Sequence, residues 1–157
     1  MEKYDIREIA KWVLMKEDMV THKRLQKYLY FLYGEFLAQQ NNSSSELNIE
    51  LFHNDFEGWA HGPVSPTIYA IYKNSGYKPL SIHPNCNINV NLEDEKILNE
   101  IYKKYMKFKT DELEKISHKQ LPWINSRRGL DIYEVGNIPL SSVDIYECFK
   151  HESGANY

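Results

Sequence analysis

The sequence predicts a mainly α protein: a single compact helical domain around a central apolar helix at about residues 21–40, with a small β-hairpin or short strands near 47–61. Three observations predict it. Leu25, Tyr28, Leu29, Leu32 and Phe36 fall at i, i+3, i+4, i+7 and i+11, one continuous face at a period of 3.6 residues. Tyr30, Phe31, Tyr33, Leu37 and Ala38 make most of the remaining circumference apolar, and a helix apolar nearly all round is wrapped by neighbours. The 157 residues have the length of one domain, enough to bury about two-thirds of the surface of the unfolded chain. Only the first turn of the helix, with His22, Lys23, Arg24 and Lys27, reads as fully solvated.

Residues 4–16 read as a first helix, with Ile6, Ile9, Ala10 and Val13 at i, i+3, i+4 and i+7. A polar break at Lys16-Glu-Asp18 follows, and Thr21 is the expected N-cap of the central helix. Helix, connection and helix invite comparison with helix-turn-helix DNA recognition. A recognition helix needs polar side chains toward base edges, however, and this second helix is apolar almost throughout. Asn41-Asn-Ser-Ser-Ser45 ends it in a polar loop. Leu47, Ile49 and Leu51 alternate with polar residues as in a half-buried strand, and His53-Asn-Asp55 supplies a turn before residues 56–61, so these two stretches are expected to form the hairpin.

In Gly62-Pro-Val-Ser-Pro66, Ser65 followed by Pro66 matches an N-cap with proline at the first helical position. The short helix carries Ile68, Ile71 and Tyr72 and stops at Asn74-Ser-Gly76. Residues 77–91 read as a loop with at most short edge strands. Asn91 caps a helix with acids in its first turn, lysines in its last, and Ile97, Leu98, Ile101, Tyr102 and Tyr105 along its buried stripe. Thr110 opens another helix, and Ser117 with Gln120 has capping-box spacing, although Pro122 favours a start nearer Leu121. After a loop with Gly129, Gly136 and Pro139, Ser141 caps a last helix lined by Val143, Tyr146 and Phe149. That makes about seven helices in one domain, residues 1–157, with its core at about 5–150 and a polar tail at 151–157.

The net charge of −3 gives no basic footprint for nucleic acid, so no direct nucleic-acid partner is expected. Cys86 and Cys148 lie 62 positions apart with no Cys-x-x-Cys pattern, which offers neither a disulfide framework nor a zinc signature. The charged N-terminus is unlike a secretory signal and no run is apolar enough for a membrane span, so a soluble, cytoplasmic protein is expected. Phosphate-cradling and common hydrolytic motifs are absent. His83 and Cys86 stand at ligand spacing, but zinc needs three or four converging ligands, so neither metal nor cofactor is expected. His61 and His118 each neighbour a tryptophan-proline cluster, either as rigid corners or as a catalytic or switch pair. Arg127 and Arg128 read equally as an anion-binding fork or as internal ion-pair partners.

Three motifs then assemble across the chain. Thr21-His-Lys-Arg-Leu-Gln-Lys-Tyr-Leu-Tyr-Phe31, Phe56-Glu-Gly-Trp-Ala-His-Gly-Pro-Val-Ser-Pro-Thr-Ile-Tyr69, and Ser117-His-Lys-Gln-Leu-Pro-Trp123 with Arg127 resemble the SocA-like, or Panacea-domain, antitoxin family, also described as phage-associated proteins. The resemblance spans about residues 5–150. It implies a mostly helical, non-enzymatic antitoxin that neutralises a cognate protein toxin by direct contact. One family member delivers its toxin to a cytoplasmic protease, so a protease is a second implied partner; homo-oligomerisation is left open. The partner-binding residues carried over on the motifs are Gln26, Tyr30, Trp59, Tyr69, His118, Trp123 and Arg127. Gly58 and Ser126 stand where the family often has alanine, and His61 where it often has an aromatic. The rival functions are a phage or prophage accessory protein that binds a host defence factor and, further off, an enzyme of unrecognised type using His61, His118 and Arg127.

Overall fold

The computed structural model of the chain describes residues 1–82 and 86–152. Its elements run α1 (Ile6–Lys16), α2 (His22–Gln40), β1 (Glu57–Trp59), β2 (Gly62–Val64), α3 (Pro66–Tyr72), α4 (Leu92–Tyr105), α5 (Thr110–His118), α6 (Leu121–Ser126) and α7 (Ser142–Glu152), with a 3₁₀ turn at Lys73–Ser75. The architecture is mainly α with one two-stranded antiparallel sheet. Every residue of α2 from Leu25 to Ala38 is buried, and α1, α4, α5 and α7 pack around it.

At α2, α3, α4 and α7 the local chemistry that starts the helix is the chemistry expected. Thr21, Ser65, Asn91 and Ser141 accept the backbone N–H of Arg24, Ile68, Asp94 and Asp144, which satisfies first-turn donors that have no partner inside the helix. Pro66 stands in the first turn of α3, where its missing N–H is no loss. Phe31 of α2 stacks on Tyr105 of α4 at 4.4 Å and meets Phe149 of α7 edge-on, so one ring ties three helices together. Gly34 makes the α2–α7 contact close: a Cβ there would stand 2.2 Å from the Phe149 ring.

Three expectations are corrected. The first turn of α2 is not fully solvated. Lys27 is 1% exposed, and the largely covered Arg24 guanidinium donates to Glu17, Tyr28 and the carbonyls of Met106 and Phe108. The hairpin does not join residues 47–51 to 56–61. Glu50 instead forms a parallel bridge with Glu2, and the hairpin pairs Glu57 with Val64 and Trp59 with Gly62. Alternation marks an extended, half-buried stretch but not its partner, and here the N-terminal residues supply it: Lys3 N–H donates to Glu50 and Tyr4 N–H to Leu51. Ser117 is no N-cap either. It lies buried near the end of α5 with its hydroxyl donating to the Glu114 carbonyl, and α6 starts at Leu121, as Pro122 required. Thr110 opens α5 as expected, and Glu112 accepts the N–H of Lys109 at that end.

Alanine is the better helix former by about 1 kcal/mol, but driving a methyl into the Phe149 ring costs about 1–3 kcal/mol. With an approach of 2.2 Å the clash wins, so Gly34→Ala is expected to lower the urea midpoint with the slope unchanged. A variant as stable as the wild type would contradict the close α2–α7 packing.

Candidate partner-binding surface

A three-residue hairpin holding Gly58, Gly62 and Pro63 has little strand propensity and would be marginal alone. Side chains from α2 and the α6 region hold it. Gln26 donates from Nε2 to the Ser65 carbonyl (3.2 Å) and accepts the Ser65 N–H at Oε1 (2.9 Å), pairing with the backbone as a neighbouring strand would. Lys27 Nζ donates to the His61 carbonyl at the turn. Trp123 Nε1 donates to the Trp59 carbonyl (2.8 Å), and Arg127 Nη1 to the Gly58 carbonyl (3.0 Å). Arg127 Nη2 also donates to the carbonyls of Asp131 (2.9 Å) and Glu134 (2.6 Å), so one guanidinium joins the hairpin to the following loop.

The seven motif residues therefore divide. Gln26, Tyr30, Trp123 and Arg127 are buried. Tyr30 donates to Gln120 Oε1 (2.7 Å), whose Nε2 donates to Glu152, bracing α2 against α6 and α7. His118 is half-buried and stacks on Trp123 at 3.9 Å, and burial holds its imidazole below the ordinary value. Trp59 and Tyr69 reach the surface, with rings 4.7 Å apart and edge-on. His22 joins them 5.6 Å from Tyr69 and takes a hydrogen bond from Gln26 Nε2 (3.0 Å), which needs an unprotonated ring nitrogen. Burial lowers the His22 pKa in the same sense.

Beneath this face lies the residue that sequence reasoning missed. Burial pushes the Lys27 amine down to about 7, against a smaller opposing pull from Glu114. Glu114 in turn bridges Lys23 (3.0 Å) and His61 Nδ1 (3.2 Å). Gly62 has φ +114°, and a Cβ there would stand 2.5 Å from Lys27 Nζ, so glycine serves both the turn and the amine. The signal was available: Lys27 lies one turn before Tyr30 and Phe31, on a circumference already apolar. Gly58 and Ser126 also meet, since a Cβ at position 58 would fall 1.9 Å from Ser126 Oγ. Glycine at 58 thus leaves room for the Ser126 hydroxyl.

Among the described residues, no three His, Cys, Asp or Glu side chains converge as a metal would need, and no helix is long and apolar enough to cross a membrane. His83 and the tail from residue 153 lie outside the described residues. Burial and the neighbouring Glu152 raise the Cys148 thiol well above its ordinary value, away from thiolate chemistry.

The motif residues thus form a helical frame that clamps a small hairpin. The family model described as "Antitoxin SocA-like, Panacea domain" matches residues 25–124, and the chain belongs to that family. The matched segment runs from α2 into α6 and so contains the hairpin and, of the clamp, Gln26, Lys27 and Trp123, with Arg127 just beyond it. Among curated proteins, Antitoxin SocA of Caulobacter vibrioides (strain NA1000 / CB15N) is 32% identical over 78 residues, 47% of this chain and 38% of that relative's length. No solved structure matches the chain.

Two outcomes are expected of this geometry. The unfolded chain protonates Lys27 up to about 10.5 and the folded one only to about 7, so between those values the unfolded state binds more protons and stability rises with pH. Urea unfolding at about pH 9 should give greater stability than at about pH 7, and Lys27→Met should remove that increment. An equal rise in the variant would assign it to other groups. Separately, Gly58→Ala should destabilise by about 1–3 kcal/mol, with Ser126→Ala recovering most of the loss, as a double-mutant cycle would report.

Proposed function

We propose that this protein is the antitoxin of a toxin–antitoxin pair, and that it neutralises a cognate protein toxin by direct contact through the face its hairpin presents. The observation that carries the reading is the coincidence of the family-matched segment with the clamp around Trp59. Trp and Tyr anchors dominate binding energy when they are rigid and central. Here the backbone beneath Trp59 is held from both sides, so little conformational freedom is lost on association. Neutralisation then works by occlusion, without catalysis: the bound domain covers the toxin's active site or substrate path.

The same contact serves an adaptor that hands the toxin to a cytoplasmic protease. That step is told apart by the toxin's half-life in cells with and without the protease.

Co-expression with the neighbouring open reading frame, scored for growth rescue and co-purification, tests the reading. Rescue with a purified complex is expected, and absence of both removes the antitoxin role for that pair. Trp59→Ala should weaken the complex about 10-fold or more while far-UV circular dichroism stays unchanged.

A further inference from the structure

Beside the hairpin, the start of α2, β2 and α3 enclose a groove of about 210 Å³ lined by His22, Trp59, Val64, Tyr69 and Tyr77. Its wall is mostly apolar yet open, with Tyr77 95% exposed and Tyr69 39% exposed. The volume lies below the roughly 300–1,000 Å³ of ordinary small-molecule sites. It fits one large side chain.

Backbone pairing cannot fill it. The outer edge of β1 is occupied, because Gly58 N–H donates to the Ile138 carbonyl and Leu140 N–H to the Phe56 carbonyl. Gln26 and Lys27 cover the β2 side, where Pro63 has no N–H to offer. An incoming chain therefore engages through a side chain, not as an added strand.

The charges around the groove run against those of the whole chain. The protein carries −3, but Lys23 and Lys73 line this groove, the buried Lys27 amine lies beneath it, and no carboxylate lines it. Glu114, behind it, is shared between Lys23 and His61, and exposed Lys73 makes no ion pair among the described residues.

Resting on the antitoxin reading, we propose that this groove takes one apolar or aromatic side chain from an acidic segment of the toxin, with Lys23 and Lys73 facing the flanking carboxylates. A single-stranded nucleic acid would also meet aromatic rings and amines here. The one-residue volume and the negative charge of the rest of the molecule favour the polypeptide.

The test measures toxin affinity at low and high salt for the wild type, Tyr77→Ser and Lys73→Glu, both substituted side chains being exposed. Trp59→Ala, with its circular dichroism checked, is the third variant. Each should bind roughly 10-fold more weakly at low salt, and the Lys73→Glu defect should shrink as salt rises while that of Tyr77→Ser persists. Wild-type affinity in all three variants sinks the groove and leaves the antitoxin reading standing. Loss confined to the aromatic variants sinks the acidic segment. Salt-steep capture of oligouridine by the wild type, lost in Tyr77→Ser, reassigns the groove to nucleic acid and overturns the proposal. A wild-type protein that does not bind the toxin removes the antitoxin reading and this inference with it.

Discussion

A helix buried on every side must find partners inside the protein for each polar group it carries. An unpaired polar group taken out of water costs about 1–3 kcal/mol, and a charge costs more. The buried run of α2 carries Gln26, Lys27, Tyr30 and Glu35, and they meet this demand on three other segments. Gln26 and Lys27 reach the hairpin, Tyr30 reaches the start of α6, and Glu35 accepts from Lys104 and Tyr105 of α4. Apolar packing brings the helices together without direction. These four polar groups fix which segment lies where, and the hairpin, poor in strand propensity, depends on them most.

That dependence explains why so many motif residues are interior. Trp59 and Tyr69 reach the surface beside a hairpin whose Gly58, Trp59 and His61 carbonyls are each tied to a different side chain. Arg127 adds the 131–134 loop to the same unit, and the stack of His118 on Trp123 fixes the indole that supports Trp59. These buried side chains hold the hairpin backbone in place.

The helices were legible because they repeat their signals. The 3.6 period of α2 and the caps Thr21, Ser65, Asn91 and Ser141 each rest on local chemistry that survives folding. The hairpin's true strands were not legible, since Glu57–Trp59 and Gly62–Val64 are too short for a period and owe their shape to distant side chains. The alternation at 47–51 was real, but its partner was the N-terminus, 47 residues or more away, which a local pattern does not encode. In the candidate site, the motifs supply both the side chains that hold the hairpin and the rings that reach the surface. They did not separate Trp59 and Tyr69, which face outward, from Gln26 and Arg127, which face inward, because both kinds stand in the same short strings. Lys27 escaped because a lysine beside His22, Lys23 and Arg24 reads as one more solvated charge.

Lys27 also shows where stability has been given up. Holding its amine near 7 instead of 10.5 disfavours the fold by roughly 4–5 kcal/mol at neutral pH, whereas one hydrogen bond to the His61 carbonyl returns about 1 kcal/mol. Packing alone would favour an apolar residue here. That replacement would leave the turn carbonyl without its donor, and the backbone two residues beyond Trp59 would lose its fixed point. The cost falls at the groove that Lys27 lines together with Trp59 and Tyr69. A penalty of this kind persists only where the surrounding structure holds the group in place.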